Sequence, residues 1–214
     1  MYVPPHFAET SLPVLHDAIR KYGFATLVTT IEDGLIATHL PLLLDPDRGP
    51  YGTLIGHFAR ANPQTQPQRG EALAIFQGPE GYITPSYYAA KREHGKVVPT
   101  WNYIAVHAYG ALRFIEDKDA VLAIVTRLTE HREAPRAAPW AVSDAPADFV
   151  AGMLNGIVGF EIEIARIQGK WKMSQNRPDA DRAGTEAGLA ADGRPDMAEA
   201  VRTSGAPFAS GEKP

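Results

Sequence analysis

From Val98 to Phe114 the residues alternate with a period of two. Ile104, Val106, Ala108, Leu112 and Phe114 fall on one side, and Trp101, Tyr103, His107, Tyr109 and Arg113 on the other. This alternation predicts a long strand with one face in a core. The second face is unusual, because it sets three aromatic rings, an imidazole and a guanidinium in one row. Such a row suits stacking on a planar ligand or lining a subunit interface. It equally suits a ladder of cross-strand aromatic pairs that only stabilises a sheet.

The flanking segments are short and punctuated by turn residues. Thr10 or Ser11 caps a helix carrying Leu12, Leu15 and Ile19, and Gly23 ends it. Phe24 to Ile31 reads as a strand, Glu32-Asp33-Gly34 as a turn, and Leu35 to Leu44 as a returning strand. Pro41 makes that strand an edge or a bulge. Thr53 to Phe58 is a third strand, and Glu71 to Gln77 a compact one buried on both faces. Gly78-Pro79-Glu80-Gly81 reads as a turn before another strand opening at Tyr82. Residues 85–98 form a loop or short helix. Asp117 caps a helix with the stripe Val121, Ile124, Val125 and Leu128, and Pro146 to Leu154 forms another helix. In Gly159 to Ile167, Phe160, Ile162 and Ile164 alternate with Glu161, Glu163 and Ala165. Six or seven strands at short spacing, with helices that do not strictly alternate, imply a mostly β chain. The expected form is an antiparallel barrel with peripheral helices rather than a doubly wound sheet. Residues 1–177 form the barrel domain in this reading, 178–203 a helical appendage and 204–214 a flexible tail.

Composition excludes several classes. The 214 residues include no cysteine, so disulfides, thiolate catalysis and cysteine-ligated metals are ruled out. The net charge of -4 opposes a general nucleic-acid binder. No apolar run is long enough for a membrane span. The first residues show no basic, then apolar, leader, which makes the cytoplasm the expected compartment. His39, His57, His94 and His107 lack metal-ligand spacing, so no metal site is expected. Neither a Gly-x-Ser-x-Gly elbow, nor a P-loop, nor a dinucleotide glycine pattern occurs.

Four clusters carry the remaining chemistry. Thr38-His39-Leu40-Pro41 lies on a strand. Gly56 to Gln64 runs from a strand into a turn, where Arg60 beside turn amides either holds a phosphate or serves as a surface cap. The alternating strand contributes Thr100 and Asn102 opposite Trp101. Gly169 to Arg177 joins three cations to an indole, a combination that suits an aromatic phosphate ester.

MYVPPHF, THLP, GHFARANPQ, VPTWNYIAVHAYG and GKWKMSQNR, in that order, resemble the PaiB family of FMN-binding negative transcriptional regulators. The resemblance runs from residue 1 to about 178. It implies a flavin-binding split β-barrel, antiparallel and Greek-key-like, in a homodimer with FMN near the subunit interface. On this analogy Arg60, with Lys170 or Lys172, meets the phosphate. Thr38, His39 and Asn102 approach the isoalloxazine edge, and Trp171 or Trp101 flanks the ring. Ser174, Gln175 and Arg177 close the site, and Asn62 and Thr100 belong to the same cofactor-binding set. The implied role is a regulator that senses flavin or redox state. Direct DNA contact is not supported by charge, since residues 178–203 set Arg182, Arg194 and Arg202 against six carboxylates. An alternative is a flavin-dependent reductase or oxidase using NAD(P)H, with Tyr87, Tyr88, Lys91 and His94 on a substrate lid. A third is a barrel without cofactor that serves as an interaction module.

Overall fold

The computed structural model describes residues 1–204, so the tail expected at 204–214 lies almost wholly outside the described residues. In chain order the elements are β1 (Ala8–Glu9), α1 (Leu12–Lys21), β2 (Phe24–Ile31), β3 (Gly34–Pro41), β4 (Leu43–Asp45), β5 (Thr53–Ala59) and β6 (Ala72–Ile83). There follow α2 (Ala90–Glu93), β7 (Thr100–Gly110), β8 (Leu112–Ile115), α3 (Lys118–Glu133) and α4 (Ala147–Leu154). The last are β9 (Ile157–Glu163), β10 (Arg166–Lys172), α5 (Asp179–Ala191) and α6 (Pro195–Thr203). Single 3-10 turns occur at Pro5–Phe7, Pro63–Thr65, Pro85–Tyr87 and Val142–Asp144. No helix among them is long and apolar enough to cross a membrane.

Contacts divide the chain into two compact units. The larger holds Leu12–Phe76 and His107–Ile167. The other holds Met1–Ser11, Gln77–Val106 and the described residues from Gln168 onward. Strands β6, β7 and β10 each run on from one unit into the other.

In the larger unit β3, β2 and β6 lie side by side, and β4, β5, β9 and β8 form a second sheet. The β2–β3 hairpin is in register from Phe24↔Pro41 to Ile31↔Gly34. Gly34 closes it at φ 114°, a conformation that side chains disfavour. Strand β5 pairs with β9 from Thr53↔Glu163 to Ala59↔Ile157. Their inward residues Leu54, Phe58, Phe160 and Ile162 are almost fully buried. The Phe58 and Phe160 rings stack 4.5 Å apart, and each buried ring stabilises the core by roughly 1.5–3 kcal/mol. Helix α3 packs Ile124 and Leu128 on Leu43 and Ile55. Asp117 starts that helix as the sequence predicts, its carboxylate accepting from the Ala120 N–H at 2.9 Å.

Three expected strands are broken where the chain changes sheets. The strand expected over 35–44 ends at Pro41, which has no N–H to continue the ladder. Leu42 then donates to the Gly23 carbonyl at 2.8 Å and the chain enters β4. The long alternating strand breaks at Ala111 into β7 and β8. The strand expected over 159–167 breaks at Ile164 and Ala165 into β9 and β10. The last two breaks meet: the Ala165 N–H donates to the Tyr109 carbonyl at 2.8 Å. A Cβ on Gly110 would lie 2.1 Å from the Glu163 carbonyl oxygen. A further correction concerns β6, which passes through Gly78-Pro79-Glu80-Gly81 without turning. Its pairing with β2 ends at Ile75, so Pro79 interrupts no bond on that side. Leu73 and Ile75 are also only half-buried, so β6 alternates where burial on both faces was expected.

In the smaller unit the strand order is β1, β10, β7, β6. Ala8 pairs with Lys170 and Glu9 with Gly169. On β7, Asn102, Ile104 and Val106 face inward while Trp101 stands out, as the alternation requires. Helix α5 approaches the turn at Pro85–Tyr87 through two glycines. A Cβ on Gly184 would meet the Tyr87 carbonyl at 2.0 Å, and one on Gly188 the Tyr87 ring at 2.2 Å. The Asp181 carboxylate accepts from the Ala90 N–H at 3.0 Å.

Gly110→Ala is expected to cost about 3 kcal/mol or more, a fall in Tm of roughly 6–12 °C. Thermal melts against Gly152→Ala, where the added Cβ has no neighbour within 4 Å and the backbone is helical, check this.

Candidate functional site

The predicted site residues fall into two groups, one in each unit. In the larger unit Thr38 and His39 sit near the end of β3, opposite Leu27 and Thr26 of β2. Asn62 precedes the 3-10 turn at Pro63–Thr65 and caps it, accepting from the Gln64 N–H at 2.9 Å. Its amide also donates to Thr38 Oγ1 at 2.9 Å, so these two predicted residues do meet. His39 Nδ1 lies 3.0 Å from Thr26 Oγ1 and its ring is exposed. Arg60 is engaged by its own surroundings. Nη1 donates to Glu116 at 2.9 Å, Nε to the Asn155 carbonyl at 3.2 Å and Nη2 to the Ile157 carbonyl at 3.0 Å. That fork ties the β5 end to the start of β9.

Reading the sequence does not single out Gln64, yet it organises this group. Its fully buried amide donates to the Leu27 carbonyl and to Thr29 Oγ1, each at 3.0 Å, while Oε1 has no partner. The only signal is its position in the capped turn after Asn62-Pro63. Nearby in sequence, His57 Nδ1 is buried without a partner. Burial pushes its pKa below the ordinary histidine range.

The smaller unit gathers the other nine. The Lys172 ammonium donates to Thr100 Oγ1 and, at 2.7 Å, to the Trp101 carbonyl. The Asn102 amide donates to Ser174 Oγ at 3.0 Å, and Asn102 Oδ1 is buried with no donor. Ser174 has φ 65°, the only non-glycine in the left-handed region among the described residues. Gln175 pins the turn, its Oε1 accepting from the Met173 N–H at 2.7 Å and its Nε2 donating to the Trp171 carbonyl at 2.5 Å. Arg177 lies over the Tyr88 ring, 4.7 Å from its centroid. Lys170 is buried, bonded to the Tyr2 carbonyl at 3.1 Å and set 5.1 Å from the Tyr103 ring centroid. Trp101 is exposed and meets Tyr82 edge-on at 6.1 Å.

Electrostatically this second group is lopsided. Lys170, Lys172 and Arg177 make no ion pair with a carboxylate within 4.0 Å among the described residues. Burial, helped by the positive charges of Lys170 and Arg177, holds the Lys172 pKa below the usual lysine range. Three cations with hydrogen-bond donors to spare form a cradle of positive charge whose chemistry suits an anion. No group of three histidine, aspartate or glutamate side chains gathers to hold a metal among the described residues.

The sequence matches the family described as "Putative FMN-binding domain" over residues 1–166. It is 38% identical over 183 residues to the Bacillus subtilis (strain 168) protein PAI 2, named for protease synthase and sporulation, with 85% of each chain covered. The chain belongs to the PaiB family. An Emericella nidulans member, AN0679, is 34% identical over 226 aligned positions, covering 88% of this chain and 90% of its own. Among solved structures, the FAD and heme binding protein of Mycobacterium smegmatis superposes with a TM-score of 0.56 at 15% identity, covering 77% of this chain and 73% of that one. The flavocytochrome Anf3 of Azotobacter vinelandii gives 0.54 at 12%, covering 79% and 72%. The fold class is therefore the expected one, mostly antiparallel β with peripheral helices, of the flavin-binding split-barrel kind. The family model ends at residue 166, before Lys170–Arg177, whereas the alignment with PAI 2, at 85% of this chain, includes those residues.

The shift at His57 has a pH consequence. Its pKa is lowered on folding, so between the folded and unfolded values the unfolded chain binds more protons. The stability tied to neutral His57 is full above about pH 6.5 and is lost as the pH falls. His57→Gln is expected to flatten the stability–pH profile between about pH 7 and 5, measured by urea melts. An unaltered slope would contradict the assignment.

Proposed function

We propose that this PaiB-family chain binds FMN through its smaller unit and acts as a flavin-sensing negative transcriptional regulator in a homodimer. The unneutralised cradle of Lys170, Lys172 and Arg177 is the observation that carries this reading. A phosphate ester supplies the missing negative charge, which offsets the burial and the weaker repulsion from Lys170 and Arg177 that hold Lys172 low. Asn102 Oδ1 is a buried acceptor awaiting a donor, and the flavin ring system carries an imide N–H of that kind. The indoles of Trp101 and Trp171 on the same strands suit a planar heterocycle. Flavin supplies redox chemistry when bound, while the chain supplies binding and orientation.

Arg60 is assigned a structural part in this proposal, because Glu116 and two carbonyls already occupy its donors. Repression is assigned to the flavin-loaded dimer acting without a basic reading helix. Helices α5 and α6 carry mainly carboxylates, and an acidic surface repels DNA phosphates.

Titration of the purified protein with FMN, followed by flavin fluorescence and the visible spectrum, tests the reading. Quenching with one site per chain is expected. Lys172→Met and Arg177→Met are each expected to weaken FMN binding by about 10–100-fold, as loss of a charge-assisted contact does. Arg60→Met is expected to lower stability with FMN affinity nearly unchanged. Absence of any spectral change at high protein concentration would sink the flavin site.

A further inference from the structure

Helix α4 is anomalous. Its eight residues, Ala147 to Leu154, include one charged side chain, Asp148, yet none of the eight is buried. Phe149 and Met153 stand 59% and 58% exposed on one side. The opposite side, with Val150 and Leu154, faces Leu122 and Thr126 of α3 across an open-mouthed cavity of about 640 Å³ that Val142 also lines. All of it lies in the larger unit. A volume of this size fits a small organic molecule and is far larger than a packing defect. The walls are predominantly apolar, so the body of a fitting ligand is apolar too.

The ends of the groove set the charge of its ligand. Asp119 and Glu130 line it from opposite ends of α3, about 16 Å apart at 1.5 Å per residue. Among the described residues neither carboxylate makes an ion pair within 4.0 Å or a side-chain hydrogen bond. Lys118, the one cation in the lining, donates to Asn155 Oδ1 at 2.7 Å. Glu130 also lies in the last turn of α3, where the carbonyl ends of the helix add negative potential. Arg132 in that same turn reaches towards Gly23 instead.

We propose that the α3–α4 groove is a binding site for a small amphipathic amine, its apolar chain or ring in the cavity and its ammonium at Glu130. This site is separate in composition from the flavin cradle and uses none of its residues.

Calorimetric titration of the whole protein with octylamine, octanol and octanoate tests it. Saturable 1:1 binding is expected, with octylamine at least about threefold tighter than octanol, the scale of an exposed ion pair. Octanoate is expected to be weakest of the three. Glu130→Gln should bring octylamine and octanol together. Ala151→Trp, which fills the cavity, should abolish all binding while circular dichroism stays native, and Val150→Trp replaces it if that variant fails to fold. Lack of saturable binding, octanoate binding as tightly as octylamine, or retention of binding in the folded cavity-filled variant would each overturn the proposal. None of these readouts depends on whether FMN binds.

Discussion

The close passage of Gly110 beneath the Glu163 carbonyl is the contact on which the strand arrangement depends. Two strands must leave one sheet and enter another at the same place, and their backbones come nearer there than any side chain permits. The 2.8 Å bond from Ala165 to Tyr109 then secures the crossing. Beyond it β8 and β9 pair in one sheet, Leu112 opposite Ile162. The Arg166 guanidinium lies over the Tyr109 ring, 3.5 Å from its centroid, so the ring row on β7 has a packing partner at the corner itself. A switch of this kind converts a long amphipathic strand into two shorter ones without losing the alternation that buries one face.

The smaller unit shows how little regular structure a charged cradle needs. Strand β10 holds Lys170 and Lys172 on one side of the chain by its period of two. The left-handed residue Ser174 then turns the backbone, and Gln175 locks the turn by bonding on both sides of it. Asn102 reaches across from β7 to hold the Ser174 hydroxyl. The cations are thereby fixed before any anion arrives, which lowers the ordering cost of binding one. Tyr2, Tyr103 and Tyr88 surround them with ring faces, which tolerate a positive charge better than aliphatic walls would.

Much of this was legible in the sequence, because period-two burial is written in residue identity. The β7 and β9 faces and the Asp117 cap follow from local spacing. The breaks were not legible. Nothing local separates a glycine that flexes from Gly110, which must let another strand's carbonyl pass. Pro79 likewise reads as a turn residue, and only the end of the β2 ladder at Ile75 makes it acceptable in a strand. At the site, the residue types around Lys172 were visible, but its two acceptors on β7 were not. Arg60 illustrates the opposite case: its turn setting suits a phosphate or a surface cap equally, and the carbonyls it meets belong to residues 95 and 97 positions away. Gln64 has no local signature, because the Leu27 carbonyl and Thr29 hydroxyl that its buried amide meets are distant in sequence.

The pairing of β1 with β10 also constrains how the protein is made. The Tyr2 carbonyl and the Lys170 ammonium that meet in the folded chain are 168 positions apart. A ribosome adding residues one at a time releases the first strand long before its partner exists. Strand β7 is likewise complete before the neighbour that supplies Lys170 and Lys172 has been translated. The larger unit can settle around the β2–β3 hairpin early, while the anion cradle is among the last parts to form. The three cations are thus not brought together in any nascent chain until translation has passed Arg177.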